Sequence, residues 1–234
     1  MDQLLGRAMH DWYHQQQPET LYIHNRHDDE PDEMEPEWYF RQPEDWPPLE
    51  LKLIEYARGR VLDVGAGVGS HSLLLQEAGA SPVALELDPL MAAIARDRGL
   101  ENVVQQDIYD YKDTEGFDTF LLIMNGFGLA RNEEGLYRLL RHLKSLANPG
   151  ASILADSSNI SYLAEDAGIT LPEGPGRNEW SYRYGYKGEL GEWNTWLYAD
   201  QEQLAAAANA TGWDMQILDE DDMDAYIVEL RLRD

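Results

Sequence analysis

The segment Val61-Leu62-Asp63-Val64-Gly65-Ala66-Gly67-Val68-Gly69-Ser70 spaces three glycines where an apolar run gives way to a helical pattern. Glycine there tolerates positive φ and lets the backbone approach a ligand closely, while the start of a helix offers free amide donors. A polar group belongs on such a loop. Glu86 closes the next apolar run, at a separation where an acidic side chain accepts hydrogen bonds from ribose hydroxyls, so adenosine is the expected ligand. Asp107 and Ile108 follow a third apolar run. Joint placement of acids at the ends of successive strands is what open α/β sheets use to bind ligands.

These residues need a scaffold, and the hydrophobic pattern describes one. Strands are predicted at 60–65, 82–87 and 102–106, with helices at 70–78 and 89–98 between them, an order that implies a parallel sheet with crossover helices. Phe117 to Met124 is almost wholly apolar, as in a central strand covered on both faces. The stripe Leu136, Leu139, Leu140, Leu143 and Leu146 marks a helix over 132–147, which Asn148-Pro149-Gly150 ends before a strand at 151–156. Beyond Asp156 a loop rich in Gly and Pro leads to strand-like runs at Trp180–Lys187 and Trp193–Tyr198, read as a β-hairpin insertion. A helix at Gln201–Thr211 and strands near Trp213–Leu218 and Ala225–Leu232 complete the chain. Residues 1–48 form a lead segment or lid in which Pro18 and the acidic stretch Asp28–Glu37 break regular structure; residues 49–234 form the main domain, with the insertion at about 157–200.

In these features the chain resembles the class I, Rossmann-like S-adenosylmethionine-dependent methyltransferases. Asp63 to Gly69 match the first motif of that family, Glu86 its ribose acid, and Asp107-Ile108 the pair that contacts adenine. The resemblance implies an α/β fold with a seven-stranded mixed sheet in the order 3-2-1-4-5-7-6, flanked by helices, the last strand antiparallel. It implies S-adenosylmethionine as cofactor, held by Asp63, Gly65, Ala66, Gly67, Glu86, Leu87, Asp107, Ile108 and Asn125, with Arg41 available to pair a carboxylate. The competing readings are an NAD-binding oxidoreductase and a noncatalytic binding protein that keeps the fold. Ser70 occupies the final glycine position of the dinucleotide fingerprint and Asp63 precedes the loop, and both features weigh against NAD.

For the chemistry, His71 and Asn125 are the candidates. His71 follows the glycine loop and could act as a base or simply hold the helix start. Asn125-Gly126-Phe127-Gly128 departs from the Asn/Asp-Pro-Pro-Tyr/Phe motif of enzymes that methylate nucleic-acid amines, and the formal charge of -26 would repel a phosphate backbone or an anionic lipid surface. A small-molecule acceptor is therefore expected, with neither nucleic acid nor membrane as partner. Trp180, Tyr182, Tyr184 and Tyr186 alternate onto one face, with Trp196 and Tyr198 on the following run; they form either an acceptor wall or the buried face of the hairpin. His10 with His14, and His24 with His27, have metal-like spacing beside Asp28 and Asp29 but no complete ligand set, so no metal is expected. The acid-rich, lysine-poor composition resembles that of halophilic proteins. Met1 to Gln17 lacks the apolar stretch of a signal peptide, and the expected compartment is the cytoplasm.

Overall fold

A computed structural model describes residues 3–26, 30–160, 164, 168, 170, 176–222 and 224–233. The chain opens with helix α1 (Leu4–Tyr13), strands β1 (Leu21–Asn25) and β2 (Asp32–Met34), and helix α2 (Pro48–Ile54). It then alternates through β3 (Val61–Val64), α3 (Ser70–Glu77), β4 (Val83–Glu86), α4 (Pro89–Asp97), β5 (Val103–Gln105), β6 (Phe117–Leu122), α5 (Glu133–Ser145) and β7 (Ala147–Ser158). The last part holds β8 (Glu179–Tyr186), β9 (Glu189–Leu190), β10 (Asn194–Leu197), α6 (Gln201–Thr211), β11 (Trp213–Glu220) and β12 (Ala225–Leu232).

Seven of these strands form one sheet, ordered β11-β12-β7-β6-β3-β4-β5. Counted within that sheet alone, the order is 3-2-1-4-5-7-6. β3, β4, β5, β6 and β7 run parallel, and β12 is antiparallel to both β7 and β11. The reversal between β3 and β6 opens the crevice in which such sheets place ligands. Short-range chemistry sets the helices that flank it. Asn132 caps α5 by accepting the Gly135 amide at 2.8 Å, Glu133 and Glu134 face the positive end, and His142 and Lys144 the negative end. Leu136, Leu139, Leu140 and Leu143 are fully buried, each contributing roughly 1.5–3 kcal/mol against the sheet. Asp88 caps α4 through the amides of Leu90 and Met91, ahead of Pro89 in the first turn. At the other end of α5, β7 already begins at Ala147, so Asn148-Pro149-Gly150 lie within the strand, with a register shift opposite Phe117 and Thr119.

The lead segment is more regular than its sequence suggests. β1 and β2 pair antiparallel with each other, and β1 pairs with β8, giving a second sheet ordered β10-β8-β1-β2 with β9 beside β8. What reads as an isolated hairpin at β8 and β10 is thus half of a sheet completed by the N-terminal segment. Asn25 and Trp180, 155 residues apart in sequence, are joined by a 2.8 Å hydrogen bond within it. Helix α1 supports this sheet by packing between α4 and β8; a Cβ at its buried Gly6 would run into the Asp88 carboxylate. Among the described residues no helix is long and apolar enough to cross a membrane.

Candidate functional site

The second sheet stands over the carboxyl ends of β3, β4 and β6 and encloses with them a cavity of 1220 Å³. Its floor is the glycine loop, with Gly65, Gly67 and Gly69 at φ values of +74°, +59° and +82°, where a side chain would be strained. The loop amides are already directed. Gly65 and Ala66 donate to the Leu85 carbonyl at 2.8 and 3.1 Å, and Gly67 donates to Glu86 Oε2 at 2.8 Å. Glu86 Oε1 accepts the Asp88 amide at 2.7 Å, so each carboxylate oxygen keeps a lone pair for a further donor. Burial raises the Glu86 carboxyl above its ordinary range, against the pull of those amides. Asp63 beneath the loop is raised for the same reason, while the Ser72 hydroxyl donates to it at 2.7 Å.

Asp63, Gly65, Ala66, Gly67, Glu86, Leu87, Asp107, Ile108 and His71 all line this cavity. The Tyr109 amide fixes Asp107 Oδ1 at 2.9 Å. Asn125 is not a lining residue, although its neighbours Met124 and Gly126 are. Arg41 is a correction: rather than facing the cavity, it pairs with the Glu50 carboxylate at 3.5 Å and donates to the Trp38 carbonyl at 2.9 Å. The same Glu50 holds His71, with Oε1 and Nε2 2.7 Å apart and the Trp46 ring 4.6 Å away. A histidine oriented by a carboxylate can hold or pass a proton. Glu50 is invisible as a site residue in the sequence because it reads as one more charge on a short helix.

The wall opposite the floor is aromatic. Trp180, Tyr182, Tyr184, Trp196 and Tyr198 line it together with Tyr39, whereas Tyr186 turns toward α1 and bonds Asp11. Tyr182 meets Tyr184 edge-on at 5.3 Å and Trp196 at 6.4 Å. Desolvation holds the Tyr39 and Tyr184 hydroxyls above the usual phenol range, so both stay neutral. Asn25 bridges Trp180 Nε1 to Asp32 Oδ2, which brings a carboxylate to this wall. Among the described lining residues contributed by the second sheet there is no basic side chain; Arg131, Arg138 and Arg141, at and before α5, line the same cavity. His27, Asp28 and Asp29 of the considered metal set lie outside the described residues, and among those described no group of three or more His, Asp and Glu side chains could hold a metal.

A further carboxylate lies under the end of β6. Asp156 Oδ2 accepts the Asn125 amide at 2.9 Å while Oδ1 is buried with no hydrogen-bond partner among the described residues. Burial, reinforced by the Glu50 charge and opposed by the two backbone amides and His71, raises Asp156 to about 6. A folded-state value above the unfolded one means that this group's contribution to stability is fully present below about pH 4 and is lost as pH rises through about 6. Wild-type protein should therefore gain thermal stability as pH falls from 7 toward 5, and Asp156→Asn should flatten that slope. Equal slopes in thermal melts of the two proteins would contradict the assignment.

The comparisons with known proteins bear directly on this site. The methyltransferase domain family matches residues 61–150, from β3 to the start of β7. A S-adenosylmethionine-dependent methyltransferase from Bacteroides fragilis, solved with S-adenosyl-L-homocysteine, is 32% identical, with 98% of this chain and 94% of that chain covered and a TM-score of 0.87. This chain belongs to the S-adenosylmethionine-dependent methyltransferases. The NAD reading gives way accordingly. A curated relative, the cypemycin N-terminal methyltransferase of a Streptomyces species, is 31% identical over 125 residues, 50% of this chain and 51% of its own length, so the match spans about half of that protein. A sugar N-methyltransferase from Streptoalloteichus shares the fold at 18% identity and a TM-score of 0.56, covering 80% of this chain and 85% of that one.

The cavity suits the methyltransferase cofactor on its own chemistry. Glu86 offers two oriented acceptor oxygens, Asp107 a third group, and Leu87 and Ile108 apolar surface for a flat base. At Gly65 a Cβ would crowd Leu129 at 3.2 Å and sit on strained backbone at φ +74°, which keeps side chains off the loop. Bound there, S-adenosylmethionine supplies an electrophilic methyl group on a sulfonium. The protein contributes orientation and exclusion of water, which can account for much of the catalysis of an in-line displacement. Ser70 ties the floor to the N-terminal segment by donating to the Tyr39 carbonyl at 2.7 Å, and it accepts from Arg98 at 2.9 Å.

Proposed function

We propose that this methyltransferase acts on the neutral amine nitrogen of a small molecule. The observation that carries this reading is the acceptor wall: aromatic faces and the Asp32 carboxylate, without a basic side chain from the second sheet. Aromatic faces and carboxylates attract an acceptor that becomes cationic when methylated. An amine does so; a carboxylate or phenolate would enter against Asp32, Asp63 and Glu86 with no cation on that wall to offset the repulsion. The amine lone pair would form the new carbon–nitrogen bond as the methyl–sulfur bond of the sulfonium breaks and its electron pair goes to sulfur, and the resulting ammonium would lose a proton. Because the amine must be unprotonated to attack, a nearby acceptor such as His71 beside Glu50 helps amines of high pKa. The cypemycin relative, an N-terminal methyltransferase, supports a nitrogen acceptor. The net charge of -26 supports a small acceptor over nucleic acid.

The test is a transfer assay with methyl-labelled S-adenosylmethionine against matched primary and secondary amines, phenols and carboxylic acids. Label is expected in amines alone, with rates that rise with the unprotonated fraction. Preferential methylation of phenols or carboxylates would overturn the reading.

A further inference from the structure

We propose that Asp156 is a positioning residue for methyl transfer, whose carboxylate holds a left-handed turn at Met124 and Asn125 that sets the position of Trp196 in the acceptor wall.

The backbone after β6 is unusual. Met124 and Asn125 are consecutive non-glycine residues with φ of +61° and +56°, a region that is unfavourable for an L-residue. Asn tolerates it better than Met. Successive amides in such turns form a concavity that binds an anion. Here the anion is internal: the Asp156 carboxylate accepts the Asn125 amide at 2.9 Å. Ser158, two residues along β7 and so on the same face, donates to Asn125 Oδ1 at 3.1 Å and secures the side chain as well.

The turn passes its geometry on. Its Asn125 carbonyl accepts the Trp196 indole N–H at 3.1 Å, and the indole lies across Gly128, where a Cβ would run into the ring. Met124 and Gly126, on either side of Asn125, line the cavity. Asp156 itself does not line it, so its effect on an acceptor must travel through the turn.

The experiment uses the full chain labelled with 5-fluorotryptophan, the Trp196 and Trp213 resonances being assigned with Trp196→Phe and Trp213→Phe. Asp156→Ala is expected to shift the Trp196 fluorine signal well beyond its linewidth and leave Trp213, buried with its indole N–H donating to the Leu140 carbonyl, unmoved. Adding Met124→Gly relieves the strain that the carboxylate otherwise restrains, so Asp156→Ala/Met124→Gly should return the signal to the wild-type position. Asp156→Asn, which retains an acceptor oxygen, should stay close to wild type. If Asp156→Ala does not fold, the double variant must fold and show the wild-type Trp196 signal.

An unmoved Trp196 signal in Asp156→Ala, or a displaced one that Met124→Gly does not restore, would overturn the proposal. The functional consequence rests on the amine-acceptor reading: KM for the amine should rise about tenfold in Asp156→Ala, equivalent to about 1.4 kcal/mol. A screen that finds no amine substrate would count against that reading alone, since the fluorine spectra need no acceptor.

Discussion

Glu86→Ala is expected to weaken S-adenosylhomocysteine binding by about two to three orders of magnitude. The substitution removes the carboxylate that the cofactor ribose is expected to meet, and it strips the Gly67 and Asp88 amides of their acceptor. Each buried donor left unsatisfied costs about 1–3 kcal/mol, and hydrogen bonds to a charged group are worth about 1.5–3 kcal/mol. A loss of about 3–4 kcal/mol in binding corresponds to roughly a hundredfold to a thousandfold in Kd. Folding stability should fall as well, by less than the sum of the two amide penalties. Burial raises the Glu86 carboxyl, so its charge costs the folded protein something at neutral pH, and alanine removes that cost along with the contacts. Calorimetric titration beside thermal melts separates the two; unchanged affinity would show that Glu86 only buttresses the loop.

The second large effect is expected at Gly128→Ala. Gly128 follows the left-handed turn, and the Trp196 indole covers it so closely that an added methyl group would occupy the ring's own position. The plane of an indole cannot yield as the end of a flexible chain can, so Trp196 must swing away and its bond to the Asn125 carbonyl must break. Overpacking of this kind costs about 1–3 kcal/mol, and the displaced ring deprives the acceptor of an aromatic contact worth about 0.5–2 kcal/mol. Transfer to the preferred amine should drop at least about tenfold in kcat/KM. None of the hydrogen bonds that direct the loop amides and Glu86 involves Gly128 or Trp196, so S-adenosylhomocysteine affinity should stay within about threefold. A parallel collapse of both quantities would mean that Gly128 supports the cofactor site and not the acceptor wall.

The parts of this site that can be read from sequence are those built by local rules. The glycine loop sits at a strand-to-helix switch, Glu86 and Asp107 end successive apolar runs, and the leucine stripe of α5 repeats at helical spacing. Each signal lies within one or two adjacent elements, and the sheet order follows once they are matched to a family. The second sheet is different. β1 is a short strand whose partner β8 is far along the chain, so no turn signal links them, and the aromatic runs read equally as hairpin core or acceptor wall. In the structure they serve as both, since the buried face of that sheet is the cavity wall.

Arg41 shows the same limit from the other side. Its expected carboxylate exists, but it belongs to Glu50, brought there by the packing of α2 against β7 and β12 of the main sheet. Asp156 stands out in the sequence only as the last residue of an apolar run. Its meaning depends on backbone angles at Met124 and Asn125, which residue types alone do not announce.

The most direct test of the central claim is calorimetric titration of the purified protein with S-adenosylhomocysteine and, separately, with NAD, at moderate and at high salt because of the -26 charge. Saturable binding of S-adenosylhomocysteine at one site, with no heat from NAD, is the predicted result. Binding of NAD alone, or no binding of S-adenosylhomocysteine under either condition, would contradict the assignment of this cavity.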